Sequence, residues 1–220
     1  IVELLGVEPR RVVVTPNAAG PAFKPLAEQK APDSATHSDL PESFFFSVGN
    51  AKPHKNLGAL VRAHQMLTAS PPPGVKEVPW LVLVGISPGE LPDAGQDSRL
   101  VLRPRMADVD LARAYAQARA VVIPSLYEGF GLPAVEALAC GAALIVSDRA
   151  SLPEVVGRAG LLCPPEPQAL AQALEGLLAD PARRAALAQA GPAQAARFSW
   201  ADSARTTLKT YRRVLDGPWP

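Results

Sequence analysis

The sequence predicts an α/β fold: a parallel sheet with helices on both faces, ending in a run of helices. Three observations predict it. Short, continuously apolar runs recur along the chain, and such runs suit strands buried on both faces of a parallel sheet. Segments with helical spacing separate them, so each connection crosses back over the sheet. From residue 167 onward the strands stop and helices follow one another. The expected architecture is a doubly wound, Rossmann-like layer with a helical C-terminus.

Each element has its own signature. The chain opens on Ile1 rather than methionine, and residues 1–10 read as a helix end, then Gly6. This opening reads as a cut through a longer protein. Val12-Val13-Val14 is expected as a linker strand, followed by a Pro16-Asn17 turn. Residues 18–42 carry prolines at 21, 25, 32 and 41, just after Pro16, and read as a loop. Residues 44–48 form a strand. Residues 56–67 form a helix, with Leu57, Leu60, Val61, His64 and Leu67 on one side. Pro71-Pro72-Pro73-Gly74 ends it. Residues 80–84 are a continuous apolar strand, 88–98 a loop and 100–102 a short strand. A helix at 109–118 precedes strands at 121–123, 144–146 and 160–162. Helices are expected at 167–180, 181–195 and 200–215, and the alanine-rich stretches there favour them. The chain divides into a linker strand and Pro-rich loop (1–42), a Rossmann-like core (43–196) and a C-terminal helix and tail (197–220), all one domain.

Bulk properties narrow the function classes. The chain has 220 residues, enough for one α/β domain with a real core. Its 22 basic and 21 acidic residues leave a net charge of +1, so no nucleic-acid or anionic-membrane surface is expected and any anion site is local. Two cysteines, Cys140 and Cys163, make no disulfide or metal framework and read as buried, reduced thiols. A cytoplasmic setting fits. No apolar run reaches the ~18 residues of a membrane span.

The most informative segment is residues 124–136. Glu128 and Glu136 stand eight positions apart around Gly129-Phe130-Gly131. A strand precedes them and a helix follows. Pro133 is expected at the first helical position, where its missing N–H is no loss. No Ser, Thr or Asp stands ready to cap this helix. A phosphate-bearing ligand could supply the acceptors instead. The segment is therefore a candidate diphosphate site flanked by two acids.

This arrangement resembles the E-x7-E signature of retaining glycosyltransferases with the GT-B fold, group-one or family-four class. Leu138-Ala139-Cys140-Gly141, Ser151-Leu152-Pro153-Glu154, Ala159-Gly160-Leu161-Leu162, and Ser47-Val48-Gly49 with Pro53-His54-Lys55-Asn56 extend the likeness over roughly residues 10–215. The resemblance implies the C-terminal, donor-binding half of that fold, with the N-terminal acceptor domain absent. It implies that Glu136 accepts the ribose hydroxyls of a nucleotide and that Glu128 contacts the donor sugar. It implies that Lys55 is the cation for the departing diphosphate. Gly129, Phe130, Gly131 and Leu132 would offer N–H groups to sugar and diphosphate, although Phe130 reads equally well as a core plug. Many members carry an arginine near the first strand's end, where Asn50 stands here. Arg103 or Arg105 could supply a second cation, or a residue of the missing half. Arg103, Arg105 and Met106 lie in the loop that would cup the base.

Asp108-Val109-Asp110 has the form of a metal-binding D-x-D pair. Because it opens a helix, Asp108 is expected as an N-cap and Asp110 as a first-turn acid. No metal and no cofactor are expected. His37, His54 and His64 are scattered, with His64 near the core face of its helix. The function implied is transfer of a hexosyl group, mannosyl by analogy with the Pro-His-Lys-Asn loop, from a GDP- or UDP-sugar to an acceptor on the missing domain. Peripheral membrane association of the full-length enzyme is a further expectation. The alternatives are a nucleotide-sugar epimerase of similar fold and a non-catalytic nucleotide-sugar-binding module.

Overall fold

The computed structural model describes residues 2–29, 40–91 and 98–217. His37, the centre of the Pro-rich loop and most of the loop at 88–98 lie outside the described residues. The strands are β1 Phe44–Val48, β2 Trp80–Val84, β3 Leu100–Arg103, β4 Ala120–Ile123, β5 Leu144–Ser147 and β6 Gly160–Cys163. They form one six-stranded sheet of order β3-β2-β1-β4-β5-β6. Every pairing is parallel. The helices are α1 Val2–Leu5, α2 Leu57–Ala69, α3 Asp108–Gln117, α4 Leu132–Ala139, α5 Leu152–Val156, α6 Pro167–Ala179, α7 Pro181–Ala195 and α8 Trp200–Leu215.

Strand alternation sends successive side chains to opposite faces, and each face has its own core. Phe44, Phe46, Val121, Ile123 and Leu144 pack with Tyr115 of α3, Val135 and Leu138 of α4, and Leu152 of α5. Phe45, Leu81, Leu83, Val122 and Ile145 pack with Leu60 and Leu67 of α2, and Leu170 and Leu174 of α6. Burying each such side chain contributes about 1.5–3 kcal/mol, which is why the apolar runs settle as interior strands. His64 lies in the second core as expected. Its Nε2 is 2.8 Å from the Pro79 carbonyl, and its ring meets Phe45 edge-on. Cys140 and Cys163 are buried free thiols, and burial pushes them up to about 12 and about 11. Both therefore stay protonated near neutral pH.

Three expectations need correction, and one element was not foreseen. Val12-Val13-Val14 is not a strand: the backbone is extended at Val12, but no neighbouring strand pairs with the segment among the described residues. Asp108 is not an N-cap. Ala107 holds that position, since its carbonyl already accepts the Leu111 N–H, and Asp108 is the first helical residue. Pro133 is the second residue of α4 rather than the first, because the helix starts at Leu132 with Gly131 as N-cap. The segment after β5 also holds a short helix, α5, which five residues are too few to announce by periodicity.

In α8, Ser203, Thr206, Thr207 and Thr210 are partly covered, while Trp200, Leu208, Tyr211 and Leu215 are exposed. No helix among the described residues is long and apolar enough to cross a membrane.

Candidate functional site

The strand order reverses between β1 and β4, which are neighbours although β2 and β3 come between them in sequence. The loops leaving these two strands diverge there, and in open parallel sheets the resulting crevice is where ligands bind. Residues 49–56 follow β1 and residues 124–131 follow β4. The sequence-predicted Lys55, Glu128 and glycine turn therefore converge on the switch point.

Three bonds tie the loops to each other and to the rest of the sheet end. Leu126 N–H donates to the His54 carbonyl at 2.8 Å. Asn56 Nδ2 donates to the carbonyls of Pro124 (3.1 Å) and Pro165 (2.8 Å). Asn56 adopts the left-handed conformation, φ 54°, which asparagine tolerates better than most residues. Gly85, at φ 92°, packs against the Gly49 carbonyl so closely that any side chain would collide. These contacts fix where Lys55 can reach.

Lys55 Nζ lies 2.7 Å from Glu128 Oε1, with both side chains largely buried. Ser125 Oγ donates to the same oxygen at 2.7 Å. Two further hydroxyls hold the loop backbone: Ser147 Oγ donates to the Ser125 carbonyl and Ser151 Oγ to the Glu128 carbonyl. Lys55 and Glu128, considered separately from sequence, are thus one ion pair. In a site of low exposure the two charges attract more strongly than they would in bulk water.

The glycine turn leads into α4. Gly131 has φ 95°, and a Cβ there would lie 2.8 Å from Leu152 Cδ2, so both conformation and space demand glycine. No side chain caps α4. Its N-terminus therefore presents backbone donors and a partial positive charge. Open space surrounds the Gly129 Cα. Phe130 packs edge-on against Phe198, ring centroids 5.4 Å apart, and rests on the core. Its side chain is a core plug, while its backbone stays in the turn. Leu132 is the first helical residue.

Glu136 lies one turn into α4 and is partly buried. Tyr115 Oη donates to its Oε2 across 3.4 Å. Its carboxyl is raised from the ordinary 4.5 to about 7, chiefly by burial. The Tyr115 hydrogen bond opposes that rise, and the Asp108 carboxylate adds to it. Tyr115 is itself held well above its ordinary value by burial and by Glu136. Glu136 thus changes charge near neutral pH.

The other sequence candidates sit less tightly. Asn50 is exposed, and its Oδ1 accepts the Lys52 N–H at 3.2 Å, a local turn contact. Arg103 ends β3, an edge strand, and is partly exposed. Arg105 is exposed. Met106 packs against the core, so its side chain serves the fold. Among the described residues, no three His, Cys, Asp or Glu side chains gather as a metal-holding group. Sequence reading passed over Asn56, Ser125, Ser147 and Ser151. An asparagine just ahead of a helix and a serine three residues before an acid were the available signals; Ser125 has its partner Glu128 close by, but those of Asn56, Ser147 and Ser151 lie far away in sequence.

The family model for glycosyl transferases group 1 matches residues 30–194. The chain is 33% identical to O-antigen chain mannosyltransferase B of Escherichia coli, over 96% of this chain and 57% of the relative. It is 30% identical to the serotype-specific mannosyltransferase WbdA of Escherichia coli, over 98% of this chain and 27% of the relative. Among solved structures, sucrose-phosphate synthase of Thermosynechococcus elongatus superposes with a TM-score of 0.73 at 29% identity, covering 91% of this chain and 52% of that one. The chain thus spans between about a quarter and somewhat over half the length of these proteins. Its sheet, switch point and helical end have the Rossmann-like architecture of GT-B glycosyltransferases. The chain belongs to the group 1 glycosyl transferase family.

Proposed function

We propose that this chain is the donor-binding domain of a retaining, metal-independent glycosyltransferase. The observation that carries the reading is the convergence at the switch point of a cation, a carboxylate and an uncapped helix N-terminus. Lys55 and the α4 N-terminus suit a diphosphate, which needs positive charge and backbone donors together. Glu128, beside Lys55, suits the hydroxyls of the attached sugar. Glu136, one turn along α4, suits the ribose, since two carboxylate oxygens can accept two adjacent hydroxyls. Arg103, Arg105 and the backbone around Met106, at the end of β3 and in the loop after it, would cup the base. As the glycosidic bond breaks, the diphosphate gains charge. Fixed donors and a fixed cation then stabilise the transition state more than the ground state.

The mannosyltransferase names of two relatives support a mannosyl donor, and either GDP or UDP could be the nucleotide. The acceptor would be held by a further domain of a longer protein, a reading that the partial coverage of the relatives supports. Orienting two reactants can account for roughly 7–11 kcal/mol of a barrier. The isolated chain should therefore bind donor yet transfer at background rate. The test is calorimetry of GDP-mannose and UDP-glucose against this chain, with a transfer assay alongside. Binding without transfer, unchanged by chelator, supports the reading. Absence of binding for both donors contradicts it, and robust transfer by this chain alone contradicts the division of labour.

A further inference from the structure

The two hydrogen bonds recorded on the Glu128 carboxylate fall on one oxygen. Lys55 Nζ and Ser125 Oγ both lie 2.7 Å from Oε1. The two donors differ in what else is asked of them. Lys55 is the cation proposed for the diphosphate, so a bound donor draws its charge away from Glu128. The Ser125 hydroxyl is neutral and carries no charge for a diphosphate to draw away. Ser125 is only 2% exposed, so water competes little for its bond. Its backbone is also fixed: Ser147 Oγ holds its carbonyl, and Asn56 holds the carbonyl of Pro124 beside it. The hydroxyl therefore starts from a set position and reaches one atom.

We propose that Ser125 is a positioning residue for Glu128, keeping Oε1 in place when a diphosphate engages Lys55 and so leaving Oε2 to accept the hydroxyls of the donor sugar. The inference rests on the donor-site reading above. Its physical basis is a conflict of charges. A diphosphate near Lys55 repels the Glu128 carboxylate and weakens the bond that held it. A carboxylate without a second anchor would swing away, and sugar recognition would carry the cost of re-ordering it. A short bond from a buried hydroxyl to a charged acceptor is among the stronger hydrogen bonds. Nucleotide contacts made by Glu136 and the α4 N-terminus do not pass through this bond. Ser125 should therefore separate recognition of the sugar from recognition of the nucleotide.

The experiment is calorimetry on this chain with two ligand pairs, GDP against GDP-mannose and UDP against UDP-glucose. Wild type, Ser125→Ala and Ser125→Thr are compared, and folding is checked by thermal unfolding. For whichever pair binds, Ser125→Ala should lower sugar-nucleotide affinity about tenfold. It should move nucleoside diphosphate affinity by less than about twofold. Ser125→Thr, which keeps the hydroxyl, should restore the difference. In a Glu128→Gln background, adding Ser125→Ala should bring little further loss. Ser125→Cys, close in size but a poor donor, carries the same expectation if Ser125→Ala does not fold. Equal losses for both members of a pair would mean a general role in holding the loop and would overturn the proposal, as would no loss at all. Failure of wild type to bind any of the four ligands would be a different result, overturning the donor-site reading itself.

Discussion

At the scale of single residues, Glu136 yields a stability and a binding consequence with opposite signs. Its carboxyl sits at about 7 when folded and at 4.5 when free, so between these values the folded state holds a proton that the unfolded state has lost. Stability contributed by the protonated group is complete below 4.5 and is lost as pH rises through 7. Glu136→Gln removes this penalty. The variant should be more stable than wild type at pH ~8, by on the order of 1–2 kcal/mol after allowance for solvent screening. Its thermal unfolding midpoint should also change less between pH ~5 and ~8. The same substitution should weaken nucleoside diphosphate binding about tenfold at pH ~8, where a charged hydrogen bond is lost. At pH ~6 the gap should narrow, because wild type is then largely protonated as well. Unfolding scans and calorimetry at both pH values check this, and a variant less stable at pH ~8 would show that burial does not govern this carboxyl.

At the scale of elements, the loops after β1 and β4 depend on two backbone positions in the left-handed region. Gly131→Ala adds a left-handed penalty of roughly 1–2 kcal/mol, plus contact with Leu152. We expect a stability loss of at least that size, together with weaker diphosphate binding as the α4 N-terminus shifts. Asn56→Ala removes two hydrogen bonds and keeps the strained φ, for a loss of about 2–4 kcal/mol. Asn56→Gly relieves the backbone and should lose less, so denaturant unfolding of the pair separates the two effects. Asp108→Ala should be mild, since a first-turn acid contributes about 0.3–1 kcal/mol and not a cap. It should also lower the pH at which Glu136 titrates, because one nearby negative charge is gone. Most elements were legible in the sequence because their cause is local. Continuous apolar runs gave β1 to β6, and helical spacing gave α2, α3, α6, α7 and α8. Asp108 misled because an acid before a helix and an acid inside its first turn look alike in sequence. Val12-Val13-Val14 misled because a strand needs a partner as well as β-branched residues.

For the whole molecule, the site exists only through topology. Lys55 and Glu128 are 73 residues apart, and the reversal of strand order brings them together. The sequence made each residue a candidate through its neighbours and its likeness to a family. It did not reveal that they form a pair, nor that serines from three places hold the loop, since those bonds depend on loop geometry. The central claim is that the switch point is a diphosphate site with Lys55 as its cation. The most direct test is calorimetry of GDP and UDP against the bare nucleosides guanosine and uridine, on wild type and Lys55→Ala. The substitution removes the cation and leaves Glu128 facing the diphosphate, so like charges meet. The account predicts that Lys55→Ala weakens the diphosphate at least about tenfold, the loss expected for one charged hydrogen bond, while the nucleoside is nearly unaffected. Equal weakening of both ligands, or undiminished diphosphate binding by the folded variant, would contradict it.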